Sequence, residues 1–165
     1  MNEDKFALFA RDVETLLSKA DVPLTGVEDI DGFTVNDKMI WFNGKDDDAH
    51  ETFVLEQIYK DLYGSENNSG KWFAFCKTAH KPYDKYVVAT LVLAKLYFEK
   101  DFDISSDGEI SEWQEGVNVL NKIFDYDISM PNAESVNESV TSKNFTGRVV
   151  DVKDFEEAIN HPVYK

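Results

Sequence analysis

The stretch Lys71-Trp-Phe-Ala-Phe-Cys-Lys-Thr-Ala-His-Lys-Pro-Tyr-Asp84 decides the fold that this sequence predicts. Its first half is aromatic and β-prone, which predicts a strand over 71–77. Pro82 has no N–H to donate and suits the first turn of a helix, which predicts a helix over 82–100. The only cysteine, Cys76, lies in the same stretch. The sequence therefore places many of its candidate functional side chains at a predicted strand-to-helix junction.

Helical spacing of apolar residues predicts helices on both sides of this junction. Phe6, Phe9, Val13, Leu16 and Leu17 share one face of a helix over 3–19. The helix over 82–100 is apolar on more than one face, which predicts burial under a sheet. A further helix is expected around 111–126, with Ser111 as its N-cap.

Alternation and turn residues predict the strands. Residues 32–44 are typical of a β-hairpin that turns at Asn36-Asp37. Residues 50–55 predict a third strand, although one helix over 49–63 also fits their spacing. With 71–77, these pieces predict an α+β fold in which an antiparallel meander of about four strands packs against two or three helices. The core is expected to include Trp72, Phe75, Val88 or Val92, Leu96 and Phe124.

The domain prediction follows from composition. Residues 1–128 predict one compact domain, 129–144 a polar linker or loop, and 145–165 a strand and helix extension.

The charge balance narrows the class of partner. The chain of 165 residues has 17 basic and 32 acidic side chains, a formal charge of -15. Such a surface repels phosphate backbones, so no direct nucleic-acid binding is expected, and it suits a basic protein partner. The alternative is that the acidity only maintains solubility. No apolar run is long enough to cross a bilayer, so no membrane partner is expected.

Two interpretations fit the polar residues around the junction. Cys76 with His50 or His80 resembles a nucleophile with its base, because a thiolate beside cations is reactive and imidazole accepts a proton. The alternative is a structural network of Glu51, Lys77, Lys81 and Asp84, in which Asp84 pairs with either lysine.

The segment from Asp103 to Gln114 approximates a calcium loop. Asp103, Ser105 and Asp107 occupy ligand positions, and Gly108 occupies the glycine position. Gln114 stands where the loop needs a bidentate Glu, so the alternative is an Asp-Gly turn that precedes a helix. No cofactor is expected except, on the first interpretation, calcium.

Carboxylates are dense between residues 99 and 127. We interpret part of this segment as a binding surface, formed by Glu99, Asp101, Glu109, Glu112 and Glu115. The alternative is a solvated helix face.

Several short motifs together resemble a group of small, uncharacterised proteins of tailed bacteriophages. They are Phe42-Asn43-Gly44, His50-Glu51-Thr52-Phe53, Phe75-Cys76-Lys77-Thr78, Lys81-Pro82-Tyr83-Asp84, Ser105-Ser106-Asp107-Gly108 and Trp113. The resemblance covers about residues 40–116 and implies a phage product that acts in the cytoplasm of the infected bacterium. It implies no activity and assigns no catalytic residue.

The sequence thus favours a non-enzymatic phage accessory protein that binds a host or phage macromolecule and inhibits or redirects it, with counter-defence or DNA mimicry as roles of that kind. Two alternatives stay open: a small enzyme that uses Cys76 with His50 or His80, and a calcium-binding helix–loop–helix module.

Overall fold

The computed structural model describes residues 1–58, 74–104, 106 and 110–128. This part of the chain contains three α-helices and four short strands, which confirms the predicted α+β class. The elements are α1 (Glu3–Ser18), β1 (Leu24–Thr25), β2 (Thr34–Val35), β3 (Met39–Gly44), β4 (Phe53–Glu56), α2 (Asp84–Phe98) and α3 (Ile110–Phe124). The predicted linker over 129–144 and extension over 145–165 lie outside the described residues.

Helix α1 packs its predicted apolar face into the core. All five of the apolar residues that predicted it are buried. Asn2 caps the helix by accepting a bond from the Lys5 N–H at 2.9 Å, which satisfies one of the free donors of the first turn. Phe9 then packs on Phe98 at 5.4 Å between ring centroids, so the start of α1 lies beside the end of α2.

The sheet is antiparallel and centres on β3. One edge of β3 pairs with β4, in the register Ile40 to Leu55. Its other edge pairs first with β2 and then, further along, with β1. The hairpin and the third strand are confirmed, whereas the helix considered for 49–63 is wrong over the described residues 53–56.

Helix α2 is the centre of the core, because ten of its fifteen residues are buried. It lies between α1 and α3, while α1 is the helix that packs against β2 and β3. The predicted burial of α2 is therefore confirmed, and α1 is the helix in more extensive contact with the sheet. The side chain of Lys95 is also only 10% exposed, because its ammonium donates to the carbonyls of Glu99 and Phe102.

Three of the sequence predictions about local structure need correction. Residues 74–77 form no strand, so the fourth strand is β1 rather than 71–77, whose first three residues lie outside the described part. Phe75 is 69% exposed and does not join the core, although Val88 and Val92 do. Ser111 lies inside α3, which begins at Ile110, so it is not the N-cap.

The half-buried side chains of Leu96 and Phe124 pack against the core, and Trp72 lies outside the described residues. None of the described helices is both long enough and apolar enough to cross a membrane.

Helices α2 and α3 approach closely at Gly116. A Cβ atom there would lie 2.4 Å from Val88 Cγ1 and 2.8 Å from the Lys85 carbonyl oxygen. Both distances are too short for real atoms, so the absence of a side chain sets the spacing of the two helices.

We expect Gly116→Ala to destabilise the protein by about 1–3 kcal/mol, since overlap with Val88 outweighs the better helix propensity of alanine. The measurement is the free energy of unfolding in urea. Asn118→Ala, at an exposed position on the same helix, is the control and should change stability by less than about 0.5 kcal/mol. A stabilised Gly116→Ala protein would show that the helices do not pack at this residue.

Candidate functional site

Four of the sequence motifs meet at one place, between the end of β3, the start of β4 and the start of α2. Asn43 holds this loop: its amide group donates to the His50 carbonyl at 2.9 Å and to the Thr52 hydroxyl at 3.2 Å. The Asn43 side-chain oxygen accepts from the His50 N–H at 3.2 Å. One asparagine therefore contacts both neighbours of Glu51, the backbone of His50 and the hydroxyl of Thr52.

Glu51 joins the loop before β4 to the segment before α2, and we call these contacts the Glu51 junction. Its N–H donates to the Lys77 carbonyl at 3.2 Å, and its carboxylate accepts from the Lys77 N–H at 2.7 Å. Its carbonyl accepts from the Tyr83 hydroxyl at 2.6 Å and from the Cys76 thiol at 3.3 Å. Both the backbone and the side chain of Glu51 are thus engaged.

Tyr83 anchors this junction in the core. Its side chain is fully buried and has no contact surface open to solvent. Burial also raises the pKa of its hydroxyl, so the group stays a neutral donor. A Cβ at position 44 would lie 2.9 Å from the Tyr83 ring and 2.1 Å from the Asp48 carbonyl oxygen, so only glycine fits at Gly44.

Asp84 fixes the turn into α2 through Thr78 rather than through a lysine. The Thr78 hydroxyl donates to the Asp84 carboxylate at 2.5 Å. The Lys81 ammonium instead donates to the Asp47 carbonyl at 2.6 Å. Asp84 also lies in the first turn of the helix, where a negative charge is favourable. The predicted pairing of Asp84 with Lys77 or Lys81 does not occur among the contacts of the described residues.

The two candidate catalytic histidines are placed differently. His50 donates from Nδ1 to the Lys77 carbonyl at 2.6 Å, one residue from Cys76. His80 lies with its Nδ1 3.5 Å from the Glu112 carboxylate, on the exposed side of the turn. The contacts thus tie His50 to the backbone next to the thiol and tie His80 to α3.

Cys76 does not have the environment of an activated nucleophile. Burial, together with the nearby carboxylates of Glu51 and Asp84, raises the pKa of its thiol from 9.0 to about 11. A thiol with a raised pKa is a weaker nucleophile than the interpretation of Cys76 as a catalytic residue requires. At neutral pH the thiol keeps its proton and donates it to the Glu51 carbonyl.

The candidate calcium ligands are only partly described. Asp103 is exposed and lies 3.4 Å from the Lys95 ammonium, which competes with a cation for the same carboxylate. Gln114 is bonded to Asn118 at 2.9 Å. Ser105, Asp107 and Gly108 lie outside the described residues, and within the described ranges no group of three or more acidic, histidine or cysteine side chains clusters as metal ligands do.

The proposed acidic surface divides into two places. Glu99 and Asp101 are exposed just beyond the end of α2. Glu112 and Glu115 are exposed on α3, beside the start of α2, where they lie near His80 and Lys85. The 15-residue helix between them is about 22 Å long. Glu109 lies outside the described residues. A single partner must span this length to contact both groups.

A second acidic group lies at the end of β3. The Asp46–Asp48 turn is joined to the loop after β1 by an ion pair between Lys45 and Asp31. The two segments together expose six carboxylates, those of Glu28, Asp29, Asp31, Asp46, Asp47 and Asp48.

Sequence reasoning assigned no role to Asn43, Gly44, Thr78 or Tyr83, although all four lie within the quoted motifs. Their hydrogen bonds join residues that are distant in sequence, so only the fold reveals their partners. Their places in the Phe42-Asn43-Gly44, Phe75-Cys76-Lys77-Thr78 and Lys81-Pro82-Tyr83-Asp84 motifs are the available signals, and such motifs name no partner.

Comparison of the chain with protein-family models, with curated proteins and with solved structures gave no match.

We expect Tyr83→Phe to lower the free energy of unfolding by about 1 kcal/mol, since it removes one buried hydrogen bond and keeps the ring. Tyr83→Leu should cost more, about 3 kcal/mol, because it also removes the ring that packs on Gly44. Urea unfolding of both variants measures the difference. Equal stability of Tyr83→Phe and the parent would mean that the hydroxyl does not hold the Glu51 junction.

The raised thiol pKa predicts slow alkylation. In the folded protein, the rate of reaction of Cys76 with iodoacetamide should rise with pH to a midpoint near pH 11, whereas in urea the midpoint should fall near 9.0. Circular dichroism at each pH confirms that the fold is intact. A folded-state midpoint below about 8.5 would restore Cys76 as a candidate nucleophile.

Proposed function

We propose that this protein is a non-enzymatic accessory protein of a tailed bacteriophage, which binds a basic host or phage protein in the bacterial cytoplasm and inhibits or redirects it. The single observation that carries the proposal is the formal charge of -15 on a chain of 165 residues. A field of this sign attracts basic partners and disfavours phosphate backbones.

The arrangement of the carboxylates supports a binding role. The carboxylates of the acidic groups described above are exposed, so they are accessible to a partner. Exposed charges speed encounter and bias the choice of partner, while they contribute little to stability. A basic protein that normally holds nucleic acid, or one that acts in defence against phage, has the matching charge.

The Glu51 junction supports the absence of catalysis. The hydrogen bonds of His50 and Cys76 join the loop before β4 to the segment before α2, and Asp84 accepts from Thr78 at the turn into the helix. A thiol whose pKa is about 11 is protonated under cytoplasmic conditions. The residues that resembled an active site therefore fit a structural role better.

The test is affinity capture from infected host cells with the folded protein as bait, followed by purification of the main captured protein. We expect a basic protein whose association rate falls as salt increases, since exposed charges are screened. Two variants that remove negative charges locate the surface. One combines Glu112→Gln with Glu115→Gln, and the other changes Asp46, Asp47 and Asp48 to Asn.

At least one of these variants should associate several-fold more slowly than the parent, with its melting temperature unchanged. If the captured protein is acidic, or if salt and both variants leave its association rate unaltered, the acidity serves solubility and the proposal is wrong.

A further inference from the structure

The sheet has a second face, which α1 does not cover. Core-facing residues of β3 alternate with outward residues, since Ile40 and Phe42 are buried and Met39 and Trp41 are only half-buried. Residues directly opposite in an antiparallel pair lie on the same face. The register therefore places Val54 beside Trp41, and Glu56 beside Met39, on the outward side.

The same alternation continues beyond β4. Val54 and Ile58 are 39% and 61% exposed, whereas Phe53 and Gln57 are buried. The Gln57 N–H donates to the Lys38 carbonyl at 2.9 Å, so the pairing with β3 extends past Glu56. Met39, Trp41, Val54 and Ile58 thus form an apolar stripe, which we call the outer face.

Polar groups close this stripe at one end. Asn43 and Thr52 lie on the same side of the sheet and bond to each other at 3.2 Å. Beyond them the Glu51 junction begins. The outer face therefore adjoins the hydrogen-bonded loop that contains Glu51.

Carboxylates border the outer face on two sides. Glu56 lies in the stripe, and exposed Asp37 lies at the hairpin turn beside it. On the opposite side, the Thr34 hydroxyl accepts from the Val27 N–H at 3.0 Å, which holds the acidic Glu28-Asp29 loop at the β2 edge. Among the described residues near this face, the Lys38 ammonium is paired with Glu3, and the Met1 ammonium donates to the Gln57 carbonyl at 3.1 Å.

We propose that the outer face is the docking surface for a basic protein segment that presents apolar side chains flanked by lysine or arginine. Trp and Met in the stripe are residue types enriched at interfaces, and the surrounding carboxylates match a cationic flank. This assignment rests on the proposed function, because it names where and how that basic partner is held.

The test uses a short synthetic peptide in which lysine and valine alternate, titrated into the ¹⁵N-labelled protein. Amide signals of Met39, Trp41, Val54 and Glu56 should shift together. A peptide in which serine replaces valine should bind about tenfold more weakly, and one in which glutamate replaces lysine should not bind.

Val54→Lys should weaken binding of the lysine–valine peptide about tenfold, since it removes apolar contact and repels the ligand. Thr15→Lys, which adds the same charge at an exposed site on α1, is the control and should change binding little. Ile58→Ser is a second variant at an exposed site. Melting temperatures verify that each variant is folded.

Four outcomes would overturn the assignment. Shifts confined to the Glu28-Asp29 loop and the Asp46–Asp48 turn would keep the proposed function but move its surface. Unchanged binding by both Val54→Lys and Ile58→Ser would do the same. A dimer in sedimentation that Val54→Lys dissociates would assign the outer face to a second copy of the chain. Protection of the Trp41 indole from a soluble paramagnet in the free protein would show that the chain's own residues cover this face.

Discussion

The hydrogen bond from the buried Tyr83 hydroxyl to the Glu51 carbonyl is the contact on which the site depends. It joins the loop between β3 and β4 to the first turn of α2, two segments more than thirty residues apart. The ring can reach this position only because position 44 has no side chain. With Tyr83 fixed, the sheet end, the loop and the central helix hold one arrangement.

The helices could be predicted from the sequence because their signal is local. Apolar spacing placed α1 to within a residue of its observed end, and Pro82 marked the approach to α2. The strands were harder, since β1 and β2 have two residues each and are defined by their pairing with β3. No alternation can be read from two residues, which is why β1 was missed.

The absence of a strand in the described residues 74–77 has a similar physical reason. Aromatic residues favour strands only where a neighbouring strand and a buried face accept them. Within residues 74–77, the bonds to Glu51 are made by individual backbone and side-chain groups rather than by a ladder. Phe75 consequently remains largely exposed, and its burial could not be predicted correctly from its apolar residue type alone.

The motif residues illustrate the limit of predicting a role from residue type. A cysteine, two histidines and a carboxylate in one region fit a nucleophile and base, and the fold does bring the segments that carry His50 and Cys76 together at the Glu51 junction. Their geometry depends on backbone carbonyls of Glu51 and Lys77, which no sequence pattern displays. The same carbonyls engage the groups that catalysis would need free, so the acidic surface and the outer face are left as the features that fit binding.

Native-state hydrogen exchange of the Glu51 and Lys77 amides tests most directly whether this junction is part of the cooperative core. The account predicts that both amides, although they lie outside regular strands, exchange with a free energy close to that of the slowest amides in α2, since opening them requires global unfolding. Exchange of either amide at the rate of the exposed Asp46–Asp48 turn would contradict it, and the junction would then be a surface loop rather than the contact that fixes the fold.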